Sequence, residues 1–474
     1  MMRNVICSLA AISTFVAPSL AKADSPVQKP NILVFIADDL GWEEIGAYGH
    51  PVIKTPNIDW LAQNGIRFDN FYLAASSSSP SRCSILTGMY PSCTGAANLH
   101  ENMPEHINLF PDRLHDAGYY TMLVGKTHGT NHPKVKARFD YGKFIDWSKP
   151  WTMVDLWKEA LTQRPKDQPF FMFAASIDPH RPYKQGHFEH PYHPDQVVVP
   201  PYLQDSPEMR EELADYYDEI GRFDDHIGQV LNLLREEGTL ENTLIIVMTD
   251  NGRPFPQCKT RVNVQGLKSP FIVYCPSLIK RGSVTKSLAS AVDIAPTLLE
   301  VAGVKRSPGL QGISLLPILG NPSVEIRKYA FAEHNWHVFR AYERSVITEN
   351  YVYIKNWLPH LPNPSVGETM RMPAYKKMLD SYLKGELPQV QQDCFIAPRP
   401  AEELYKIPDD VHCVNNLIGE KEKKAIVEEM RLVLDVWQQS MGDSYPGEKK
   451  LKGDTSDRRT GEKLKKENTA DVAD

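Results

Sequence analysis

The sequence predicts an α/β fold: a large, mostly parallel sheet sandwiched by helices, followed by a smaller C-terminal antiparallel sheet with a helix. Three observations predict it. Continuous apolar runs alternate with helical segments over the first two thirds of the chain, and shorter, closely spaced runs follow from residue 326. The 474 residues, 42% of them hydrophobic, supply a large core. We expect a main domain at 24–325 and an α+β subdomain at 326–440.

Four short apolar runs predict neighbouring strands of the parallel sheet, at 31–37, 120–124, 170–175 and 243–248. Ligands of such sheets bind beyond the carboxyl ends of the strands. Each run is followed by charged or metal-binding side chains, so we expect one functional site at that edge. The residues concerned are Asp38, Asp39, Lys126, His128, His180, Asp250 and Asn251.

Helix signals separate these runs. Thr55-Pro56 begins a helix that Gly65 ends, Ser206-Pro207 begins a long helix that ends near Gly238, and 293–302 is closed by Gly303. In the C-terminal part, short strand-like runs at 329–332, 345–348 and 351–354 precede a helix at about 421–439.

The two ends of the chain have different compositions from the rest. Residues 1–23 combine Arg3, an apolar stretch and the cleavage pattern Ala21-Lys22-Ala23, which predicts a signal peptide cleaved after Ala23 and export to the periplasm or beyond. No other segment approaches 18 apolar residues, so we expect no stable membrane insertion. Residues 441–474 are polar and charged, which predicts a disordered tail.

Charge and cysteine content exclude other classes. With 53 basic and 59 acidic residues the net charge is −6, so the chain lacks the basic excess of nucleic-acid-binding proteins. Six cysteines follow the leader, without the paired spacing of a zinc site. Cys394 and Cys413 form a plausible disulfide in an oxidising compartment, although the sequence does not fix the pairing.

The most informative motif is Ser78-x-Pro80-x-Arg82, followed by Leu86-Thr87-Gly88. A serine-rich loop entering a helix is the plain interpretation. The motif also resembles the signature of the type I sulfatase family, in the alkaline-phosphatase-like superfamily, whose first residue is oxidised to formylglycine. Ser78 is the only serine of the run with Pro at +2 and Arg at +4. A serine at this position implies a Ser-type formylglycine-generating maturase as partner.

The resemblance implies a role for each strand-end residue. It implies one Ca²⁺ bound by hard oxygen ligands, a base that deprotonates the aldehyde hydrate, an acid for the leaving group, and cations on the hydrate and the sulfate oxygens. The implied metal ligands are Asp38, Asp39, Ser78, Asp250 and Asn251, and the implied catalytic residues are Ser78, Arg82, Lys126, His128 (base), His180 (acid) and Lys259.

Within this family, several segments resemble the heparan N-sulfatases, among them 98–101, 125–128, 178–181, 221–224 and 249–256. The resemblance implies a sulfated oligo- or polysaccharide as substrate, with the N-sulfate of glucosamine in heparan or heparin fragments as the group removed. Ser78 replaces the cysteine of the animal enzymes, and Lys259 replaces an arginine. Candidate sugar contacts are His100, Arg181, His334, His337 and Arg344.

Three alternatives stay open at this point. The first is an O-sulfatase acting on another sulfated polysaccharide. The second is a metallophosphatase or phosphodiesterase that uses unmodified Ser78, although Asn251 stands where two-metal enzymes often place a histidine. The third is a non-catalytic relative that only binds sulfated glycans.

Overall fold

The computed structural model describes residues 29–464, so the predicted signal peptide at 1–23 lies outside the described residues. Its largest element is an eight-stranded sheet in the order β5-β4-β6-β1-β7-β8-β2-β9. The strands of the large sheet are β1 (Asn31–Ala37), β2 (Ile66–Phe68), β4 (Tyr120–Gly125), β5 (Tyr141–Phe144), β6 (Phe170–Ala175), β7 (Thr243–Thr249), β8 (Phe271–Tyr274) and β9 (Ser283–Thr285), and a separate two-stranded sheet pairs β3 (Phe71–Tyr72) with β10 (Ala289–Ser290).

The four predicted strands form the centre of the sheet. β4, β6, β1 and β7 are adjacent and parallel, with Leu33 opposite Met172 and Ile245. Every residue of β1, β6 and β7 is buried, as the continuous apolar runs predict. Their carboxyl ends therefore lie side by side at one edge of the sheet.

Helices cover both faces of the sheet and enclose two hydrophobic clusters. The predicted long helix is confirmed as α6, and the Ser206 side chain accepts a hydrogen bond from the Met209 amide at its start. The helices are α1 (Pro56–Asn64), α2 (Ser78–Thr87), α3 (Phe110–Asp116), α4 (Pro133–Lys136), α5 (Met153–Gln163), α6 (Pro207–Glu236), α7 (Val264–Leu267), α8 (Ile294–Val301), α9 (Leu316–Gly320), α10 (Gly367–Met370), α11 (Pro373–Leu383) and α12 (Lys424–Met441). Within residues 29–464, no helix combines the length and the apolar character needed to cross a bilayer.

The C-terminal part forms a separate antiparallel sheet, as predicted, of β11 (Ala330–Trp336), β12 (Arg340–Ile347), β13 (Tyr351–Asn356) and β14 (Glu402–Lys406). β14 is an addition to the three predicted strands. The last helix packs on this sheet through buried Met430, Leu434 and Trp437, which cluster with Val346 and Tyr353.

The tail differs from the prediction. Residues 443–464, here called the C-terminal strap, pack against the C-terminal sheet: the Thr455 amide donates to Val338 O, and Arg458 bonds both Asp454 and Arg340 O. The prediction of disorder is therefore wrong up to residue 464, because these charges pair with groups on the sheet. Residues 465–474 lie outside the described part of the chain.

The disulfide prediction is also wrong. All six cysteines of the described chain are free thiols. Cys394 packs in a small cluster with Phe339 and Tyr375, whereas Cys413 belongs to the main core cluster, so the two thiols serve separate cores.

Candidate active site

The carboxylates beyond β1 are the deepest part of the site. Asp38 and Asp39 are both fully buried. Asp39 has a left-handed backbone (φ 73°), which is uncommon for a residue other than glycine. The Tyr216 hydroxyl holds this turn, since it donates to Asp39 O and accepts from the Gly41 amide, each at 2.9 Å. The turn directs both carboxylates toward the end of the neighbouring strand β7.

Ser78 meets these carboxylates from the first residue of α2. Its Oγ lies 3.1 Å from Asp38 Oδ1 and 3.0 Å from Asn251 Oδ1, and Lys126 Nζ donates to it at 3.2 Å. The Asn251 amide is oriented by its Nδ2, which donates to Asp39 Oδ1 at 2.6 Å. A hydroxyl has one proton, so Ser78 can donate to only one of its two acceptor oxygens. One close oxygen pair is thus left without a proton between its members.

Three buried cations pair with the three buried aspartates. Arg82 Nε bonds Asp250 at 2.6 Å, and Lys126 Nζ bonds Asp38. In the third of these pairs, Lys259 Nζ lies 2.8 Å from Asp39.

Arg82 stands four residues after Ser78, on the same face of α2. Its two Nη atoms are buried without a hydrogen-bond partner among residues 29–464, which leaves four N–H donors available.

A glycine at the end of β4 positions Lys126. Lys126 follows Gly125, whose positive φ and close approach to β6 exclude a side chain: a Cβ there would lie 1.9 Å from Ala175 O. The glycine lets β4 end tightly against β6, which brings Lys126 to the carboxylates.

Burial and charge act differently on these groups. Burial alone would raise the pKa of Asp38, but Lys126 and then His180 lower it below its ordinary value. Burial alone would lower the pKa of Lys259, but Asp39 and then Glu368 raise it. For Lys126 burial outweighs Asp38, so its pKa is lowered. Lys259 is therefore held as a fixed positive charge.

Two histidines lie near this cluster. Burial lowers the pKa of His128 well below its ordinary value, and Lys126 and Arg82 lower it further, so the imidazole is neutral. Its Nδ1 is buried and unpartnered within the described chain. His180 presents Nε2 at 3.8 Å from Asp39 Oδ2. A neutral, unpartnered imidazole can accept a proton.

The loop that carries His180 is fixed to the long helix. Arg222 of α6 bonds both oxygens of Asp178, at 2.9 and 2.6 Å, and both side chains are buried. Asp178 O accepts from the Asp38 amide at 2.9 Å. One ion pair therefore aligns the histidine loop with the carboxylate turn.

The donor set fits a hard cation. Asp38, Asp39, Asp250, Asn251 and Ser78 form one cluster linked by short contacts, and carboxylate and amide oxygens are the ligands that Ca²⁺ prefers. One of the two close oxygen pairs at Ser78 has no proton between its members, and a bound cation would offset the repulsion between these two oxygens. Asp38, Asp39 and His180 also form a group able to hold a metal ion.

The five candidate sugar contacts, three histidines and two arginines, lie in different environments. His100 is exposed, with its ring 5.0 Å from that of His128, and His337 is buried near Lys259 and Glu368. His334 is buried, and burial lowers its pKa to about 4.

The two arginines are not brought to the site as sugar contacts. Arg181 bonds Glu212 of α6 at 2.9 Å, and Arg344 bonds Asp443 of the C-terminal strap at 2.7 Å. Both guanidinium groups are buried in these ion pairs, which fasten loops to the fold.

Two residues near the site were not among the sequence predictions. Glu368 of α10 lies 3.4 Å from His180 and 3.6 Å from Lys259, and its side chain is 31% exposed. Trp147, 42% exposed, lies with its ring 5.4 Å from that of His180. Neither follows a central strand or stands in a motif, so the sequence contains no signal for them.

Comparison with known proteins agrees with this geometry. The sulfatase family model matches residues 30–304, and a model described as N-sulphoglucosamine sulphohydrolase, C-terminal, matches residues 259–360. Human N-sulphoglucosamine sulphohydrolase is 30% identical over 88% of this chain and 91% of its own length. An ulvan-active sulfatase of Formosa agariphila is 28% identical over 88% of this chain and 76% of its own.

Solved structures show the same fold. A 2-O glycosaminoglycan sulfatase superimposes with a TM-score of 0.69 at 20% identity, covering 92% of this chain and 96% of its own. A protein solved with its substrate D-glucosamine-2-N,6-O-disulfate gives 0.68 at 21%, covering 88% and 99%. The fold is alkaline-phosphatase-like, and the match over 30–304 together with the human relative establishes that this chain belongs to the sulfatase family, as a sulfuric ester hydrolase.

Proposed function

We propose that this chain is an exported sulfatase that removes sulfate from a sulfated glycan, and that its preferred group is the N-sulfate of glucosamine in heparan or heparin fragments. The observation that supports the reaction is Ser78 at the start of α2, between Asp38 and Asn251, with Arg82 one turn later, whose Nη donors have no partner in the described part of the chain. Support for the substrate comes from the human relative and from the C-terminal match at 259–360.

Conversion of Ser78 to formylglycine would supply an aldehyde hydrate, which has a second hydroxyl that serine lacks. Ca²⁺ bound by Asp38, Asp39, Asp250 and Asn251 would supply Lewis acidity at the sulfate oxygens. Side chains of the protein place positive charge around residue 78. Lys126 Nζ is 3.2 Å from Ser78 Oγ, and the Nη groups of Arg82 are buried without a partner among the described residues. In a buried site such fixed donors stabilise developing negative charge strongly.

Two histidines divide the proton transfers. His128 is neutral because burial and its cationic neighbours lower its pKa, and its buried Nδ1 has no partner within the described chain, so the ring is free to accept the proton released at residue 78. His180, whose Nε2 lies 3.4 Å from Glu368 Oε1, is the second histidine of the cluster and takes the role of the acid for the leaving oxygen or nitrogen. The Arg222–Asp178 pair holds His180 in place.

Mass spectrometry and a substrate panel test the proposal. Protein coexpressed with a Ser-type maturase should show the loss of two hydrogens from the peptide containing Ser78, relative to protein made without it. The matured enzyme is then incubated with glucosamine saccharides carrying N-, 2-O-, 3-O- or 6-O-sulfate. Selective N-sulfate release supports the proposal. Exclusive O-desulfation assigns an O-sulfatase, binding without turnover assigns a non-catalytic relative, and phosphate ester hydrolysis by unmodified protein assigns a phosphatase.

Lys259 gives the O-sulfatase alternative a specific basis. The resemblance to heparan N-sulfatases would place an arginine there, and a lysine keeps the charge without the planar fork of donors. The variant Lys259→Arg tests it: a shift of preference toward the N-sulfate indicates that this position sets the choice of sulfate. Export is tested separately, since the mature chain recovered from the periplasm or the medium should begin at Asp24.

A further inference from the structure

We infer that Trp147 is a platform on which the pyranose ring of the substrate stacks, so that this residue selects sugars over other sulfate compounds. The inference rests on the proposed function, which it deepens by naming the part of the substrate that is recognised. Trp147 lies on the loop after β5, beyond the same sheet edge as the site residues.

The position of the indole carries the inference. Its ring centroid lies 5.4 Å from Lys126 Nζ, 5.4 Å from the His180 ring and 6.3 Å from the His128 ring. These are the sulfate-binding cation and the two proton-transfer residues of the proposed site. A group attached to a sulfate held by Lys126 therefore has the indole within reach.

The exposure of the ring is unusual for this chain. Trp147 is 42% exposed, whereas the other seven tryptophans of the described residues are buried or only partly exposed. An exposed indole leaves apolar surface in water, at a cost that grows with its area. A tryptophan that packs no core and stands at the edge of a polar site gains stabilisation when a ligand covers it. Pyranose rings suit such a surface, because one face presents C–H groups.

Glu368 adds a polar wall near the same histidine. Its Oε1 lies 3.4 Å from His180 Nε2, and the Trp147 ring centroid lies 5.4 Å from that of His180. Burial alone would raise the pKa of Glu368, but His180 and then Lys259 lower it to about 2, so it is ionised and accepts hydrogen bonds. A sugar has both features that these walls need: an apolar face for Trp147, and hydroxyl or amine donors for Glu368.

The test compares Trp147→Ala with Trp147→Phe in the matured enzyme. Phe144→Ala is the matched control, since Phe144 is 40% exposed at the end of β5 and its ring is contacted by Lys136 Nζ, 4.4 Å from the ring centroid, a residue outside the site. Two substrates are used: an N-sulfated glucosamine disaccharide and a small acyclic alkyl sulfate. The measured quantity is the ratio of kcat/KM for the saccharide to kcat/KM for the alkyl sulfate.

We expect Trp147→Ala to lower this ratio at least tenfold, mainly through KM, because the lost contact binds ground state and transition state alike. Trp147→Phe should recover a large part of the ratio, and Phe144→Ala should leave it within twofold. A Trp147→Ala enzyme with an unchanged ratio overturns the inference. Equal losses on both substrates overturn it too, since they assign Trp147 to the positioning of Lys126 and His180.

A binding measurement separates this inference from the proposed function. If the wild-type enzyme releases no sulfate from any saccharide, the proposed function fails. Calorimetric titration of the disaccharide into unmatured protein still tests the platform: Kd should rise at least tenfold in Trp147→Ala and stay unchanged in Phe144→Ala. Equal affinities of wild type and Trp147→Ala overturn the inference whatever the enzyme does.

Discussion

The ion pair between Arg222 and Asp178 connects the fold to the chemistry, and its removal gives a sharp prediction. Within residues 29–464, Asp178→Ala leaves the buried guanidinium with Glu219 at 3.0 Å and Lys184 O at 3.2 Å as its only partners. It also removes the side chain that fixes the loop before His180. We expect losses of both stability and catalysis from this one change.

The size of the stability loss follows from the burial of the pair. Both side chains are at most 2% exposed, and breaking such a pair from one side costs about 3–5 kcal/mol. Glu219 keeps part of the compensation, so we expect about 3 kcal/mol. At about 2.1 cal/mol/K per residue, a chain of this size unfolds with an entropy of ~1 kcal/mol/K, so the Tm should fall by about 3 °C. A misplaced His180 should lower kcat by about 100-fold, the loss that a displacement of about 1 Å produces.

Asp205→Ala is the matched control for this variant. Arg210, on the same helix, bonds both oxygens of Asp205 at 2.5 and 2.7 Å, but the two side chains are 32% and 56% exposed. Exposed pairs contribute about 0–1 kcal/mol. The assays are thermal unfolding and the rate of sulfate release. The reasoning is refuted if the free energies of unfolding of Asp178→Ala and Asp205→Ala differ by less than about 0.5 kcal/mol and Asp178→Ala keeps the wild-type kcat. The ion pair would then not position the site.

Three further predictions concern charge, the strap and the metal. The pKa of Glu368 is lowered to about 2, so its stabilising contribution is present above its ordinary pKa of 4.5 and is lost as the pH falls toward 2. The Tm gap between wild type and Glu368→Gln should therefore shrink below pH 4.5, and a gap that does not change with pH contradicts this. Asp443→Ala should speed tryptic cleavage of the C-terminal strap, because it releases the strap from Arg344. Asp435→Ala is the control, since its partner Lys355 is 31% exposed. Equal cleavage rates in the two variants would count against docking of the strap through Asp443. Ca²⁺ at 100 times Kd should stabilise the wild type by about 2.7 kcal/mol, and Asp250→Ala should lose most of that rise in Tm, whereas an equal rise in both proteins argues against this ligand set.

The sequence predicts the parts of the site that depend on parallel strands. Four apolar runs locate β1, β4, β6 and β7, and the geometry of a parallel sheet brings the residues after them together. Asp39, Lys126 and His180 are within contact distance of the cluster for this reason. The order β4-β6-β1-β7 itself is not evident from the sequence, because any arrangement of four buried parallel strands satisfies the same pattern.

The parts that sequence reasoning misses come from long-range pairing. The strap at 443–464 is rich in charge, which is typical of a disordered tail, yet Asp443 pairs with a buried arginine about a hundred residues earlier. Arg344 and Arg181 look like surface residues able to bind an anion, but each neutralises a buried carboxylate of the fold. Only the three-dimensional structure shows which charges already have partners.

The charge balance of the site explains how an acidic chain can bind a sulfated substrate. The net charge of the sequence is −6, but Arg82, Lys126 and Lys259 face Asp38, Asp39 and Asp250, so the buried cluster is neutral by itself. A divalent cation held by these aspartates would give the cluster a charge of +2. The Glu368 carboxylate would cancel one of these charges and leave +1. The local field would then attract an anionic sulfate while the surface stays acidic, because in a buried site nearby charges act with little screening. Removing the metal should therefore weaken sulfate binding more than it weakens binding of the desulfated sugar, which Trp147 and Glu368 would still hold.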